Sequence, residues 1–208
     1  MDFSDEAVYE GRTFNGIELE KVTLKKVEFL GCSFKRCSFN ETAFEACEFR
    51  DSSFVNCSLD ICHVDRTRFK STLFEKTKLM GINWTAASWG RKAIAQLIKT
   101  VDFDGCVLNY SSFMGLDLTN IRIVNSVVHE VDFSEAVLHK ADFSGSDLQR
   151  SIFRNTDLRE ANFSSARNYS ISPILNKIKG AKFSLPEAMS LLYNMDIDLD
   201  TLSGEEAN

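Results

Sequence analysis

The sequence predicts an all-β solenoid that turns once in every five residues, and three observations carry the prediction. Large apolar side chains recur at every fifth position. A second position, two residues earlier in each unit, is held almost throughout by small or β-branched residues. A five-residue period fits neither the 3.6-residue repeat of an amphipathic helix nor the alternation of a long strand, so only a chain that bends once per unit keeps these side chains on one interior.

Residues 1–11 form an acidic lead-in. From residue 12 to residue 91 the large position holds Phe14, Leu19, Leu24, Phe29, Phe34, Phe39, Phe44, Phe49 and Phe54, then Leu59, Val64, Phe69, Phe74, Leu79, Trp84 and Trp89, which is 16 consecutive units. The small position holds residues such as Val22, Cys32, Cys37, Thr42, Cys47, Ser52, Cys57 and Thr67; Arg12 in the first unit departs from the rule. The rule resumes at Phe103 and runs through Phe113, Ile123, Phe133, Phe143 and Phe153 to Phe163, adding 13 units. If each unit supplies one large and one small inward side chain, successive turns stack as solenoid coils about 4.8 Å apart.

Units such as Ala141-Asp142-Phe143-Ser144-Gly145 and Ala161-Asn162-Phe163-Ser164-Ser165 resemble the A-(D/N)-L-x-x consensus of the pentapeptide-repeat family. The resemblance covers residues 12–91 and 101–165 and implies a right-handed, quadrilateral β-helix with four units per coil. Four units make residues 20 apart stack, and the sequence supports that number. Phe14, Phe34, Phe54 and Phe74 form one all-Phe column, Phe29, Phe49, Phe69 and Trp89 an aromatic one, and Phe113, Phe133 and Phe153 a third. Among the six cysteines, Cys37 and Cys57 are the pair 20 apart and are expected to stack.

Trp89 and Phe103 are 14 residues apart, so the register slips between them. Residues 92–100 (KAIAQLIKT) are expected to leave the coil as a loop or short helix, either a tolerated insertion or a functional projection. The second coil segment is assigned to residues 101–167, because the large position then falls on Asn168, which cannot fill an apolar interior. Residues 168–202 are read as a helix-plus-strand cap. Ser184 and Glu187 have capping-box spacing, with Pro186 in the first turn of a helix from about Leu185 to Asn194. Ile197 and Leu199 alternate with aspartates as in a short strand. Met189, Leu191, Leu192, Met195, Ile197 and Leu199 offer more apolar surface than a cap needs and are expected to form a homodimer contact. Residues 203–208 are read as a disordered tail.

No catalytic chemistry is expected. All six cysteines, Cys32, Cys37, Cys47, Cys57, Cys62 and Cys106, sit at the small inward position, where packing explains them. His63, His129 and His139 flank large positions and should point outward; Trp84 and Trp89 follow the core rule. Neither metal, cofactor nor enzymatic activity is expected, and no phosphate loop or nucleophile elbow occurs. The N-terminus lacks a signal peptide's basic and apolar blocks, and no apolar run approaches a bilayer span, so the expectation is a cytoplasmic protein without membrane contact.

The formal charge is −6. Residues 1–91 hold 14 acidic and 13 basic side chains, with Lys25, Lys26, Lys35 and Arg36 locally basic, whereas residues 101–165 hold 10 acidic and 5 basic. The four-sided arrangement places Asp102, Asp104 and Asp142 on one face. Such a face would not bind nucleic acid directly but could engage a protein site that binds DNA. Residues 168–199, with Ile82-Asn83-Trp84 and Ser88-Trp89, resemble the subgroup that contains the albicidin-resistance, Qnr and MfpA proteins. The resemblance implies a C-terminally joined dimer that mimics DNA, engages DNA gyrase or topoisomerase IV and protects it from topoisomerase poisons. Asp102, Asp104, Asp142, Lys92 and Gln96 are the candidate partner contacts. The alternative is a scaffold or regulator with another protein partner.

Overall fold

Each five-residue unit makes a short extended piece and then a corner, and the corner dictates the backbone. The residue two after each large side chain adopts a left-handed conformation in unit after unit, as at Lys26 (φ 53°), Asp51 (φ 50°) and Glu130 (φ 56°). Proline cannot adopt a positive φ, which explains why a chain that turns so often has only 2 prolines.

The computed structural model describes residues 3–89, 101–195 and 197. It is an all-β, right-handed, four-sided solenoid. One wall is a parallel sheet of β2 (Thr13–Asn15), β5 (Ser33–Lys35), β8 (Ser53–Val55), β10 (Thr72–Glu75), β11 (Val101–Asp104) and β12 (Arg122–Val124). Isolated bridges Arg122↔Asp142 and Asp142↔Asn162 continue it to β13 (Asn162–Phe163) and β14 (Lys182–Phe183). A second wall pairs β1 (Val8–Glu10), β4 (Glu28–Leu30), β7 (Glu48–Arg50) and β9 (Arg68–Lys70). A third contains β3 (Thr23–Lys25) and β6 (Ala43–Glu45), and the fourth is a run of bridges from Glu18↔Ser38 to Asp147↔Arg167. The register is 20 residues, as at Phe14↔Phe34 and Phe34↔Phe54. Across the slip it becomes 29, with Phe74↔Phe103, and the coil then resumes at 20 with Phe103↔Ile123.

The columns stack as expected. Phe34 lies between Phe14 (5.0 Å, 20°) and Phe54 (4.6 Å, 10°), and Phe29–Phe49–Phe69 stack at 5.0 and 5.4 Å. Phe113, Phe133 and Phe153 stack at 5.4 and 5.2 Å. Neighbouring columns meet edge to face, as Phe29 does Phe34 at 5.2 Å, so the rings use both favourable aromatic geometries. Trp89 ends its column differently. It is only partly buried and meets Trp84 edge-on at 6.3 Å, its indole N–H donating to the Trp84 carbonyl. Phe3 closes the N-terminal opening, with its ring edge-on to Tyr9, Phe14 and Phe29.

The small inward residues do more than fill space. Thr67 Oγ1 donates to the Phe44 carbonyl at 2.7 Å and accepts the Cys47 N–H of the coil below at 3.3 Å. Ser52, Thr77, Ser111, Ser146 and Asn176 each bridge a carbonyl and an N–H in the same manner. These interior-facing backbone groups would otherwise be buried without partners, so the hydroxyls carry a hydrogen-bonding requirement as well as a steric one. Cys37 N–H likewise meets Cys57 Sγ at 3.4 Å, which confirms that this pair stacks.

Two boundaries differ from the sequence expectation. The coil does not stop at Asn168: the chain completes another turn, with bridges Asp147↔Arg167 and Asp157↔Lys177, and Phe183 stacked on Phe163 at 5.1 Å. Asn168 takes a left-handed, exposed turn (φ 58°), and its neighbour Tyr169 fills the interior instead. The helix is also shorter than expected, α1 spanning Met189–Tyr193. Ser184 and Glu187 do not form a capping box. Ser184 Oγ accepts the Ser165 N–H at 3.0 Å and Glu187 Oε1 accepts that of Asn168 at 2.5 Å, so both satisfy the last coil rather than the helix. Pro186 precedes α1, after a cis bond from Leu185. Of the expected terminal strand only Ile197 is described, and it carries no strand assignment; Leu199 and residues 203–208 lie outside the described residues.

Candidate functional site

Residues one position either side of each inward ring point their side chains outward, so every wall carries vertical columns of surface residues 20 apart. Asp102 and Asp142 share such a column and Asp104 flanks it on the same wall, as the spacing predicts. The column alternates in charge over Asp102↔Arg122↔Asp142 and continues through neutral Asn162 to Lys182. Asp102 is largely buried, at 8% exposure. Asp104 accepts from Asn125 Nδ2 at 3.2 Å, and Asp142 from Asn162 Nδ2 at 2.9 Å and the Ser144 N–H at 3.0 Å. These carboxylates therefore sit in a mixed, partly satisfied ladder. Lys92 and Gln96, with the whole insertion, lie outside the described residues.

Other outward columns hold ion clusters that sequence spacing could have revealed, because each acid has partners two residues away on its own coil or 18 to 22 residues away on a neighbouring one. Glu48 is buried and receives Arg50 and Arg68 at 2.5 Å each, with Lys70 at 3.4 Å. Burial pushes its carboxyl up, but the hydrogen bonds from Arg50 and Arg68 and the charges of Arg68 and Lys70 outweigh this and hold it below the usual carboxylate range. Asp147 gathers His129 (3.3 Å), Arg167 (3.1 Å) and the side chain of Asn168 (2.9 Å). His139 turns Nδ1 to the Arg159 carbonyl at 3.0 Å, and His63 is exposed. Among the described residues no group of three or more His, Cys, Asp or Glu could hold a metal ion. All six cysteines are buried and unbridged; burial pushes Cys47 up to about 11 and Cys62 and Cys106 up to about 12.

The C-terminal end is the most apolar part of the described surface. Leu191 packs on the core and Leu192 is half-buried, whereas Met189, Met195 and Ile197 are exposed, beside Tyr193 and Leu185. Ile174 (71% exposed) and Leu175 are exposed on the last coil as well, which the sequence reading missed because it ended the coil too early. Among the described residues no helix is long and apolar enough to cross a membrane.

A four-sided coil with a sealed aromatic interior, whose chemistry is presented on columns along its walls, defines a surface-bearing solenoid. The family profile described as a pentapeptide repeat region matches residues 27–109 and 94–163, and the chain belongs to the pentapeptide-repeat family. Its fold is similar to that of a trypsin-treated variant of QnrB1, a plasmid-mediated fluoroquinolone resistance protein, with a TM-score of 0.65 at 13% identity over 90% of this chain and 100% of the other. A second trypsin-treated variant of the same protein gives 0.56 at 16% identity over 97% and 96%. No curated protein matches the sequence significantly.

Proposed function

We propose that the protein is a partner-binding rod that pairs through its C-terminal end and engages a type II topoisomerase, DNA gyrase or topoisomerase IV, protecting it from topoisomerase poisons. The observation that carries this reading is the rod itself, which aligns along 90% of its length with a fluoroquinolone resistance protein. The subgroup resemblance of residues 168–199 and the apolar end formed by Ile174, Leu175, Met189, Met195 and Ile197 support the pairing. A solvent-exposed apolar surface of this kind is stable when a second copy covers it. The alternation of Asp102, Arg122 and Asp142 favours contact through rod shape and discrete patches over imitation of a continuous phosphate backbone.

The same alternation favours a second reading, a scaffold for a different protein partner. Gyrase supercoiling and poison-induced DNA cleavage, measured with micromolar protein, separate the two: reduced cleavage supports topoisomerase protection, and no change in either assay leaves only the scaffold. Pairing is tested by sedimentation of Met195→Asp, which should shift a dimer to a monomer.

A further inference from the structure

The left-handed corner position selects against apolar side chains, and two exceptions fall together. Of the described non-glycine residues with positive φ, all but three are charged or small polar; Ala46 is small, and the others are Ile61 (φ 60°) and Tyr110 (φ 63°). A β-branched residue is a pronounced outlier in this conformation, and the folded coil gains little burial from either, since they are 57% and 63% exposed. They stand in one column, on either side of Gly81. The Ile61 N–H bonds to the Met80 carbonyl and the Gly81 N–H to that of Asn109, next to Tyr110. A Cβ at Gly81 would meet Ile61 Cγ1 at 3.8 Å, so the glycine leaves a notch one coil high with Ile61 below and Tyr110 above. Met80, Asp60, Asn40 and Glu41 complete a groove of about 460 Å³.

The rim is acidic. Asp60 accepts the Met80 N–H at 2.9 Å and has no cation partner among the described residues. Glu20 accepts from Asn40 Nδ2, and only Glu41 is paired, with Lys21 at 3.4 Å, both well exposed. An apolar notch bordered by surplus carboxylates complements one chemistry, an aliphatic or aromatic side chain flanked by lysine or arginine.

We infer that the Ile61–Gly81–Tyr110 notch is a docking site for a basic, apolar-bearing segment of a partner protein. It lies on a different wall from the Asp102–Asp142 column and does not rest on the topoisomerase reading.

The test uses the full chain, two fluorescein-labelled peptides, Lys-Arg-Leu-Phe-Leu-Arg-Lys and Glu-Asp-Leu-Phe-Leu-Asp-Glu, and the variants Ile61→Asn and Tyr110→Asn. Asparagine tolerates the left-handed corner, so both variants should melt at or above the parent temperature. The basic peptide should bind the parent, shift backbone NMR signals of residues 40–41, 60–61, 80–81 and 110, and lose at least tenfold in affinity in either variant; the acidic peptide should not bind. Equal binding of both peptides, shifts elsewhere on the rod, or unchanged affinity in the stably folded variants would overturn the assignment. Concentration-dependent shifts at the notch without peptide would also overturn it, by placing a second copy there.

Discussion

Replacing Thr67 by valine keeps the side chain's shape and removes its hydroxyl, which separates packing from hydrogen bonding at the small inward position. In the native coil that hydroxyl donates to the Phe44 carbonyl at 2.7 Å and accepts the Cys47 N–H at 3.3 Å, and Thr67 is fully buried. Leaving a buried backbone group unsatisfied costs about 1–3 kcal/mol, so two groups set an upper range of roughly 2–6 kcal/mol. Relaxation lowers it, because the Cys47 N–H could swing to the Phe44 carbonyl, the turn bond that Thr42 N–H makes to Phe39 at 3.0 Å. The expected loss is therefore about 2 kcal/mol, or roughly 4–8 °C in melting temperature for a chain of this size. Thermal unfolding gives the magnitude, and accelerated hydrogen exchange at the Cys47 amide gives the location. Thr67→Ser should fall within about 1 kcal/mol of the parent, since it retains the bonds and loses one methyl group. A neutral or stabilised Thr67→Val, with Thr67→Ser destabilised, would refute the hydrogen-bonding role and leave size as the whole explanation.

Phe34→Ala removes a fully buried ring stacked on both sides and should cost about 3–5 kcal/mol by denaturant titration. Glu48→Gln should cost about 2 kcal/mol near neutral pH, since it weakens charged hydrogen bonds to half-exposed arginines. Because the folded carboxyl titrates below the unfolded one, that contribution is complete above about pH 5 and is lost as pH falls below about 4, so parent and variant stabilities should converge in acid. A disulfide reagent at pH 8 should leave Cys47, Cys62 and Cys106 unmodified in the folded protein and react with them in denaturant, as their burial and raised values require.

The interior was legible in the sequence because its rule is local and repeated: five residues set the turn, 20 set the column, and Phe14 to Phe74 obey both. Hydrogen bonding by Thr67, Ser52 or Ser146 was only half legible, since hydroxyl-rich small positions are visible but the carbonyl 23 residues away is not. At the C-terminal end the rule failed for a physical reason. Asn168 is acceptable where the chain can turn it outward and let Tyr169 take the interior, and an inward-position rule has no term for that exchange. Ser184 and Glu187 show the same limit: their spacing fits a helix cap, but the unpaired N–H groups of Ser165 and Asn168 take both acceptors first. On the surface, Asp102, Asp104 and Asp142 share a wall as the spacing implied, whereas Arg122 between them gains its meaning only once the register is known.

The claim on which all of this depends is that equivalent residues of successive coils stand directly above one another along a straight column. Thr13 and Lys182 are exposed ends of one such column, linked through Ser33, Ser53, Leu73, Asp102, Arg122, Asp142 and Asn162. Spin labels on Thr13→Cys and Lys182→Cys should give a narrow electron–electron distance distribution near about 38 Å, eight strand spacings of about 4.8 Å. A broad distribution, or a maximum below about 25 Å, would contradict the stacked coil.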